Sequence, residues 1–174
     1  MALQIHDTLS RRKVVFTPRD ANHVRIYVCG PTVYDYAHIG NARPVVIFDV
    51  LCRLLRQLYP KVTYVRNITD VDDKINRAAK ETGKSIQTIT ENTTKIFHKD
   101  MAALGALDPD YEPRATQHIE GMKNLVKKLL VSGNAYKVGG HVLFDVTSMP
   151  NYGRLSRLNR DELIAGARVE VAPY

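Results

Sequence analysis

The sequence predicts an α/β fold on a parallel sheet, followed by a smaller α+β unit. Residues 24–28 alternate in polarity and are rich in β-forming side chains, which predicts a strand that ends at Cys29. Apolar residues recur at helical spacing from Pro44 to Pro60, and proline suits the first turn of a helix. Residues 62–68 predict a second strand. The order strand, helix, strand, helix favours parallel pairing through a right-handed crossover.

Two more helices are predicted after the second strand. Asp72 and Asp73 lie where the positive end of a helix dipole favours negative charge, and Gly83 indicates the end of that helix. Ser85 is a suitable cap for the next helix. Asp70, Asp72 and Asp73 could also form an acidic metal-binding cluster, but helix capping is the simpler interpretation.

The character of the chain changes near residues 108–113, where acidic residues and prolines replace the helical pattern. We therefore divide the chain into residues 1–113 and a smaller unit of residues 114–174. The elements predicted for the smaller unit are a helix capped by Thr116 and ended by Gly133, a hairpin of residues 135–138 and 142–146 joined through Gly139-Gly140, and a short helix from about Asn159 to Gly166.

Composition limits the classes of protein that fit. The 174 residues carry a formal net charge of +7, which suits a polyanionic partner or a basic surface kept for solubility, and charge alone leaves both open. Cys29 and Cys52 are the only two cysteines and form no C-x-x-C pair, so a reducing compartment is favoured over a disulfide scaffold. The sequence has no signal-peptide core and no membrane-spanning run, so we expect a cytoplasmic protein.

The segment Cys29 to Asn41, between the first strand and the helix, carries the residues suited to chemistry. Ligands of open α/β sheets collect where strands end, and the helix amino terminus that follows attracts phosphate. Gly40 allows close approach of the backbone to a ligand. His38 can donate a hydrogen bond to a phosphate oxygen as charge develops.

Together with Asn67-Ile68-Thr69-Asp70, this segment resembles the class I aminoacyl-tRNA synthetases, whose nucleotide signature is His-Ile-Gly-His. It is similar in particular to the cysteinyl-tRNA synthetase family, in which Cys-Gly-x-Thr-Val-Tyr-Asp precedes that signature. Asn41 here replaces the last histidine; asparagine keeps hydrogen-bonding capacity, so we expect a tolerated variant. Further matching blocks cover residues 64–75, 112–116, 152–156 and 166–169.

The resemblance implies a fold and an activity. It makes residues 1–113 the first half of a Rossmann-like (HUP-type) nucleotide-binding catalytic domain, and residues 114–174 the start of a connective-peptide-like insertion that binds the tRNA acceptor end. The implied activity is activation of L-cysteine with ATP and Mg2+, followed by transfer to tRNA(Cys), by a monomer. The family's later catalytic half and its anticodon-binding domain do not occur in the sequence, so we expect an amino-terminal fragment that is inactive alone.

The resemblance also implies roles for individual residues. His38 and Asn41 are the catalytic candidates, and with Ile39 and Gly40 they form the ATP-binding signature. Cys29 matches a ligand of Zn2+, with the remaining ligands outside this chain. The residues implied for the amino-acid pocket are Gly30, Thr32, Thr69 and Asp70.

Other interpretations stay open at this level. Arg154, Arg157 and Arg160 lie in the predicted acceptor-binding unit, where they could contact phosphate or simply form a solvated basic surface. Cys52 lies on an apolar helix face, which favours core packing over chemistry. The rival functions are a cysteine ligase acting on a small-molecule amine and a non-catalytic RNA-binding or regulatory module.

Overall fold

The computed structural model describes residues 2–157. The helices and strands, in chain order, are β1 (Gln4–Asp7), β2 (Arg12–Val15), β3 (Val24–Val28), α1 (Ile39–Leu58), β4 (Val62–Arg66), α2 (Asp73–Thr82), α3 (Ile86–Ala103), α4 (Ile119–Val131), β5 (Ala135–Val138) and β6 (His141–Phe144). Short 3-10 helices cover Ala115–His118 and Val146–Ser148. No helix in this part of the chain is long and apolar enough to cross a bilayer.

Residues 17–119 form one compact unit, and its sheet is parallel as predicted. β3 pairs with β4 from Val24 opposite Val62 to Val28 opposite Arg66. Residues 111–114 continue the parallel arrangement along the other edge of β4, through bridges at Tyr111 and Arg114. Strands joined by α1, and then by α2 and α3, confirm the predicted α/β class.

Two apolar clusters hold the helices against this sheet. In one, Cys52 of α1 packs with Val28 and Tyr64 of the two strands. Cys52 is 2% exposed, so its predicted place in the core is confirmed. The other cluster lies nearer the strand ends and joins α1 to α3; its buried members are Val33, Ala42, Val45, Ile68, Phe97 and Met101.

Two predicted helix starts were wrong. α1 begins at Ile39, five residues before Pro44, because the His38 side chain caps the helix and Asn41 completes the cap. Thr116 does not cap a helix; its amide and hydroxyl donate instead to Asp70, and α4 begins at Ile119. Asp72 and Ser85 cap α2 and α3 as predicted.

Residues 2–16 and 120–157 belong to a second unit. It contains the antiparallel pairs β1–β2 and β5–β6. The β5–β6 turn uses Gly139 and Gly140, both at positive φ, which confirms the predicted hairpin. The predicted helix from Asn159 to Gly166 lies outside the described residues, and the domain boundary between residues 113 and 114 stays a prediction.

Candidate functional site

The candidate site lies where β3 and β4 end and α1 begins. Cys29 follows β3 directly and its side chain is exposed. The Gly30 amide donates to Asn67 Oδ1 over 2.8 Å. A Cβ on Gly30 would lie 1.6 Å from the Asn67 carbonyl oxygen, so only glycine allows the two strand ends to approach this closely.

Beyond Gly30 the two strand ends are joined by further hydrogen bonds. Thr32 and Thr69 form a parallel bridge, in which the Val33 amide donates to the Thr69 carbonyl and the Thr69 amide donates to the Pro31 carbonyl. The side-chain Nδ2 of Asn67 also donates to Thr69 Oγ1 over 3.2 Å. The structure thus brings together three of the four residues predicted for the amino-acid pocket.

His38 and Asn41 form a reciprocal cap at the start of α1. His38 Nδ1 accepts from the Gly40 amide over 3.0 Å, and Asn41 Oδ1 accepts from the His38 amide over 3.0 Å. Because Nδ1 is an acceptor, a neutral His38 ring carries its proton on Nε2 and can donate it to a ligand. A Cβ on Gly40 would lie 2.8 Å from the His38 ring. A larger residue at position 40 would therefore push the ring out of its observed position.

Two small clefts border these residues. One, of about 100 Å³, brings Cys29 and Gly30 together with Gly40 and Asn41 of α1. The other, of about 70 Å³, lies under His38 and is lined also by Thr32 and Asn41. Three of the four signature residues therefore border the same strand ends as the candidate zinc ligand. The fourth, Ile39, lines neither cleft and is 83% exposed.

Arg66 is a residue of this region that sequence reasoning missed. It is 2% exposed, lines the cleft beside Cys29, and stacks its guanidinium 5.3 Å from the centre of the Phe97 ring. Its Nη2 lies 3.4 Å from Glu112, which in turn contacts His98 Nε2 at 2.6 Å. In the described part of the chain its Nε and Nη1 have no hydrogen-bond partner. The signal that could have found Arg66 is a lone arginine inside a predicted buried strand.

Asp70 differs from the other residues predicted for the amino-acid pocket. It is 5% exposed, and both carboxylate oxygens are occupied by Thr116, at 2.9 Å from the amide and 2.6 Å from the hydroxyl. This arrangement ties the segment that follows β4 to the 3-10 helix at Ala115–His118. Its observed contacts are therefore structural.

The described residues do not by themselves make a metal centre. Within residues 2–157 no group of three or more His, Cys, Asp or Glu side chains is placed to hold a metal ion. The exposed thiol of Cys29 suits one zinc ligand, whereas zinc sites use three or four protein ligands. Cys29 is therefore a candidate ligand only.

Two of the three predicted tRNA-contacting arginines lie in the described part of the second unit. Arg154 and Arg157 are both exposed, and Arg157 Nη2 donates to the Leu9 carbonyl over 3.1 Å. Arg157 therefore also fastens the β1–β2 turn. Arg160 lies outside the described residues.

Comparison with known proteins identifies the class to which this chain belongs. The sequence profile described as "tRNA synthetases class I (C) catalytic domain" matches residues 15–173. The chain belongs to this family, the class I tRNA synthetase catalytic domains. The fold is shared with Mycobacterium tuberculosis methionyl-tRNA synthetase in complex with methionyl-adenylate, at a TM-score of 0.55 and 20% identity over 73% of this chain and 30% of that chain.

Three curated relatives match the whole length of the chain. The cysteine–tRNA ligases of Rhodospirillum rubrum, Paramagnetospirillum magneticum and Rhodospirillum centenum are 64%, 62% and 60% identical over all 174 residues. The chain spans 38% of the length of each. None of these names favours the small-molecule ligase or the non-catalytic module.

Proposed function

We propose that this chain supplies the ATP- and cysteine-binding strand ends of an enzyme that activates L-cysteine as cysteinyl-adenylate and transfers it to tRNA(Cys). The observation that carries the proposal is the reciprocal cap of His38 and Asn41, placed beside Cys29 and Thr69. We propose further that the protein acts in the cytoplasm as a monomer.

The ATP site is formed by the signature residues at the start of α1. His38 uses Nδ1 for the cap, which leaves Nε2–H to donate to a phosphate oxygen as negative charge grows there. Gly40 lets the backbone approach the nucleotide, and the positive end of the α1 dipole favours its phosphates. Asn41 and Ile39 complete the site, with Mg2+ bound to ATP as part of the substrate.

The amino-acid pocket is formed by the joined strand ends, with Gly30, Thr32 and Thr69 along its wall. Cys29 would hold Zn2+ together with ligands from outside the described residues. Zinc prefers sulfur and, when bound, supplies an open position for a substrate thiol, which favours cysteine over serine. Asp70 supports this wall by accepting two hydrogen bonds from Thr116. Its proposed effect on the amino acid is therefore to position the wall of the pocket.

The acceptor end of tRNA is proposed to meet the unit that begins near residue 114. Arg154, Arg157 and Arg160 would contact its phosphates. Arg157 would contribute less than Arg154, because its guanidinium donates to the Leu9 carbonyl. Phosphate contacts of this kind position the RNA without reading its sequence.

A chimeric enzyme tests the proposal directly. This chain would replace the matching amino-terminal segment of the R. rubrum relative, and ATP–pyrophosphate exchange would be measured with cysteine and with serine. We expect exchange with cysteine and little or none with serine. A folded chimera that fails to exchange with cysteine, beside an active parent enzyme, would overturn the proposal.

A further inference from the structure

A groove runs between α2, α3 and the segment of residues 34–36, within the unit of residues 17–119. Its volume is about 760 Å³, within the range of about 300–1,000 Å³ typical of ligand sites, and it is larger than either cleft at the strand ends. None of the described residues that line it belongs to the proposed ATP site, amino-acid pocket or tRNA surface. The proposed activity therefore gives this surface no role.

Aliphatic side chains form the base of the groove. Ile89 and Ile96 lie seven residues apart on α3, so they share one face of that helix, and Ala78 lines the groove from α2. Ile89 is buried, and Ile96 and Ala78 are partly buried. Two helices with aliphatic side chains between them are a surface on which a third, amphipathic helix can lay its apolar face.

The charged side chains of the groove are mainly positive. Lys84, Lys95 and Lys99 line it and are exposed, and within residues 2–157 none of the three has an ion-pair partner. Asp35 is the one acidic side chain among the described residues that line the groove, and its Oδ1 accepts from the Tyr36 amide over 2.7 Å. Charge complementarity therefore favours an occupant with several negative charges.

The spacing of the lysines favours an elongated occupant over a small anion. The stretch from Lys84 to Lys99 spans about 20 Å at about 1.5 Å per residue, because nearly all of it is α3. A single phosphate or carboxylate group could not meet all three ammonium groups over this distance. A helix of about 14 residues has the required length.

The groove fits a protein helix better than single-stranded RNA. Proteins that bind single strands without sequence preference offer aromatic faces on which successive bases stack. Among the described residues, the only aromatic side chains that line the groove are Tyr34 and Tyr36. The Lys74 ammonium lies 5.2 Å from the centre of the Tyr34 ring and so covers one of its faces. Ile89 and Ile96 suit aliphatic side chains instead of bases.

We propose that this groove docks an acidic amphipathic helix of a partner protein. Leucine-like side chains at i, i+3, i+4 and i+7 of that helix would pack on Ile89 and Ile96. Aspartate and glutamate on its flanks would face Lys84, Lys95 and Lys99. Docking of this kind uses no residue of the proposed ATP or amino-acid site, so it is independent of cysteine activation.

Fluorescence anisotropy with the 174-residue chain and a fluorescein-labelled peptide of about 14 residues tests this docking. The peptide carries leucine at i, i+3, i+4 and i+7 and glutamate beside them, and a scrambled peptide of the same composition lacks the leucine stripe. The first peptide should bind roughly tenfold or more tightly than the second, the effect of burying about one leucine side chain. Lys95→Glu/Lys99→Glu should weaken this binding by roughly tenfold and should instead bind a peptide with lysine in place of glutamate.

Lys61→Glu/Lys80→Glu is the matched control, because it makes the same change of net charge at two exposed lysines of the same unit that do not line the groove. This variant should keep its preference for the acidic peptide. Equal binding of the amphipathic and scrambled peptides, or equal losses in the two double variants, would overturn the inference. A labelled single-stranded RNA that binds through Lys95 and Lys99 while the acidic peptide does not bind would also overturn it, in favour of a nucleic-acid surface.

Discussion

At the scale of single residues, the missing side chain of Gly30 sets how closely the two strand ends approach. A Cβ there would meet the backbone of Asn67, which the Thr32–Thr69 bridge holds in place. A main-chain atom so close to a bridged pair cannot move aside as a flexible side chain could. Gly30 therefore acts through the backbone of the site.

Gly30→Ala should lower the free energy of unfolding by about 3 kcal/mol or more, at the upper end of single-substitution effects. Urea titration followed by circular dichroism measures this loss. Gly121→Ala is the matched control, because a Cβ at Gly121 in α4 meets nothing within 4 Å and alanine favours the helix. Equal stability of Gly30→Ala and the unaltered chain would contradict the close approach.

Cys52 makes stability depend on alkaline pH. Burial raises the pKa of its thiol from 9.0 to about 11, and burial likewise raises the pKa of Tyr64 beside it. Because the folded pKa lies above the unfolded one, the contribution is fully present below about pH 9 and is lost as pH rises toward 11.

Urea midpoints measured between pH 8 and pH 11 should therefore fall with rising pH, roughly across the window set by these pKa values. The fall should be shallower in Cys52→Ala, which removes the buried thiol. Cys29→Ala is the control, since it removes an exposed thiol and leaves the buried one in place. Identical slopes in all three proteins would show that Cys52 does not carry the effect.

At the scale of elements, the helix starts show where pattern reasoning reaches its limit. The apolar spacing of α1 is visible in the sequence, and Pro44 is a reasonable first-turn residue. The observed start at Ile39 depends on a cap formed by His38 and Asn41. Histidine is not among the residues usually expected at a helix cap, so this cap is visible only in the folded structure. Pro44 consequently lies inside the helix and gives Gly40 no i→i−4 hydrogen bond.

Arg66 and Glu112 link β4 to the neighbouring segment and, through His98, to α3. Removing one member of a buried ion pair leaves an uncompensated charge, whereas replacing both by apolar side chains is better tolerated. We therefore expect Glu112→Leu to destabilise the fold by about 3–5 kcal/mol, and Arg66→Met/Glu112→Leu to cost less than the two single changes added together.

A double-mutant cycle based on urea unfolding measures this coupling. Lys123→Met/Glu120→Leu is the comparison, because that pair on α4 is exposed and should show little coupling. Additive losses at Arg66 and Glu112 would mean that the two side chains do not stabilise one another.

At the scale of the whole molecule, the fold and the place of the site could be predicted, but the surroundings of the site could not. The α/β class follows from the periodicity of apolar residues within each element and from the order of the elements along the chain. Both can be read from the sequence without knowing which distant residues meet. The position of residues 29–41 follows because ligands collect at strand ends. Arg66 and the groove combine side chains far apart in the sequence, so only the folded chain brings them together.

His38 caps α1 and, in the proposed enzyme, also donates to the nucleotide. His38→Asn separates these roles, because asparagine is a good helix cap but lacks the Nε2–H donor of the imidazole. In the chimera we expect His38→Asn to keep its melting temperature and to lose roughly 100-fold in kcat for cysteine-dependent ATP–pyrophosphate exchange, as for loss of one transition-state donor. Unchanged exchange by a stable His38→Asn chimera would contradict the account.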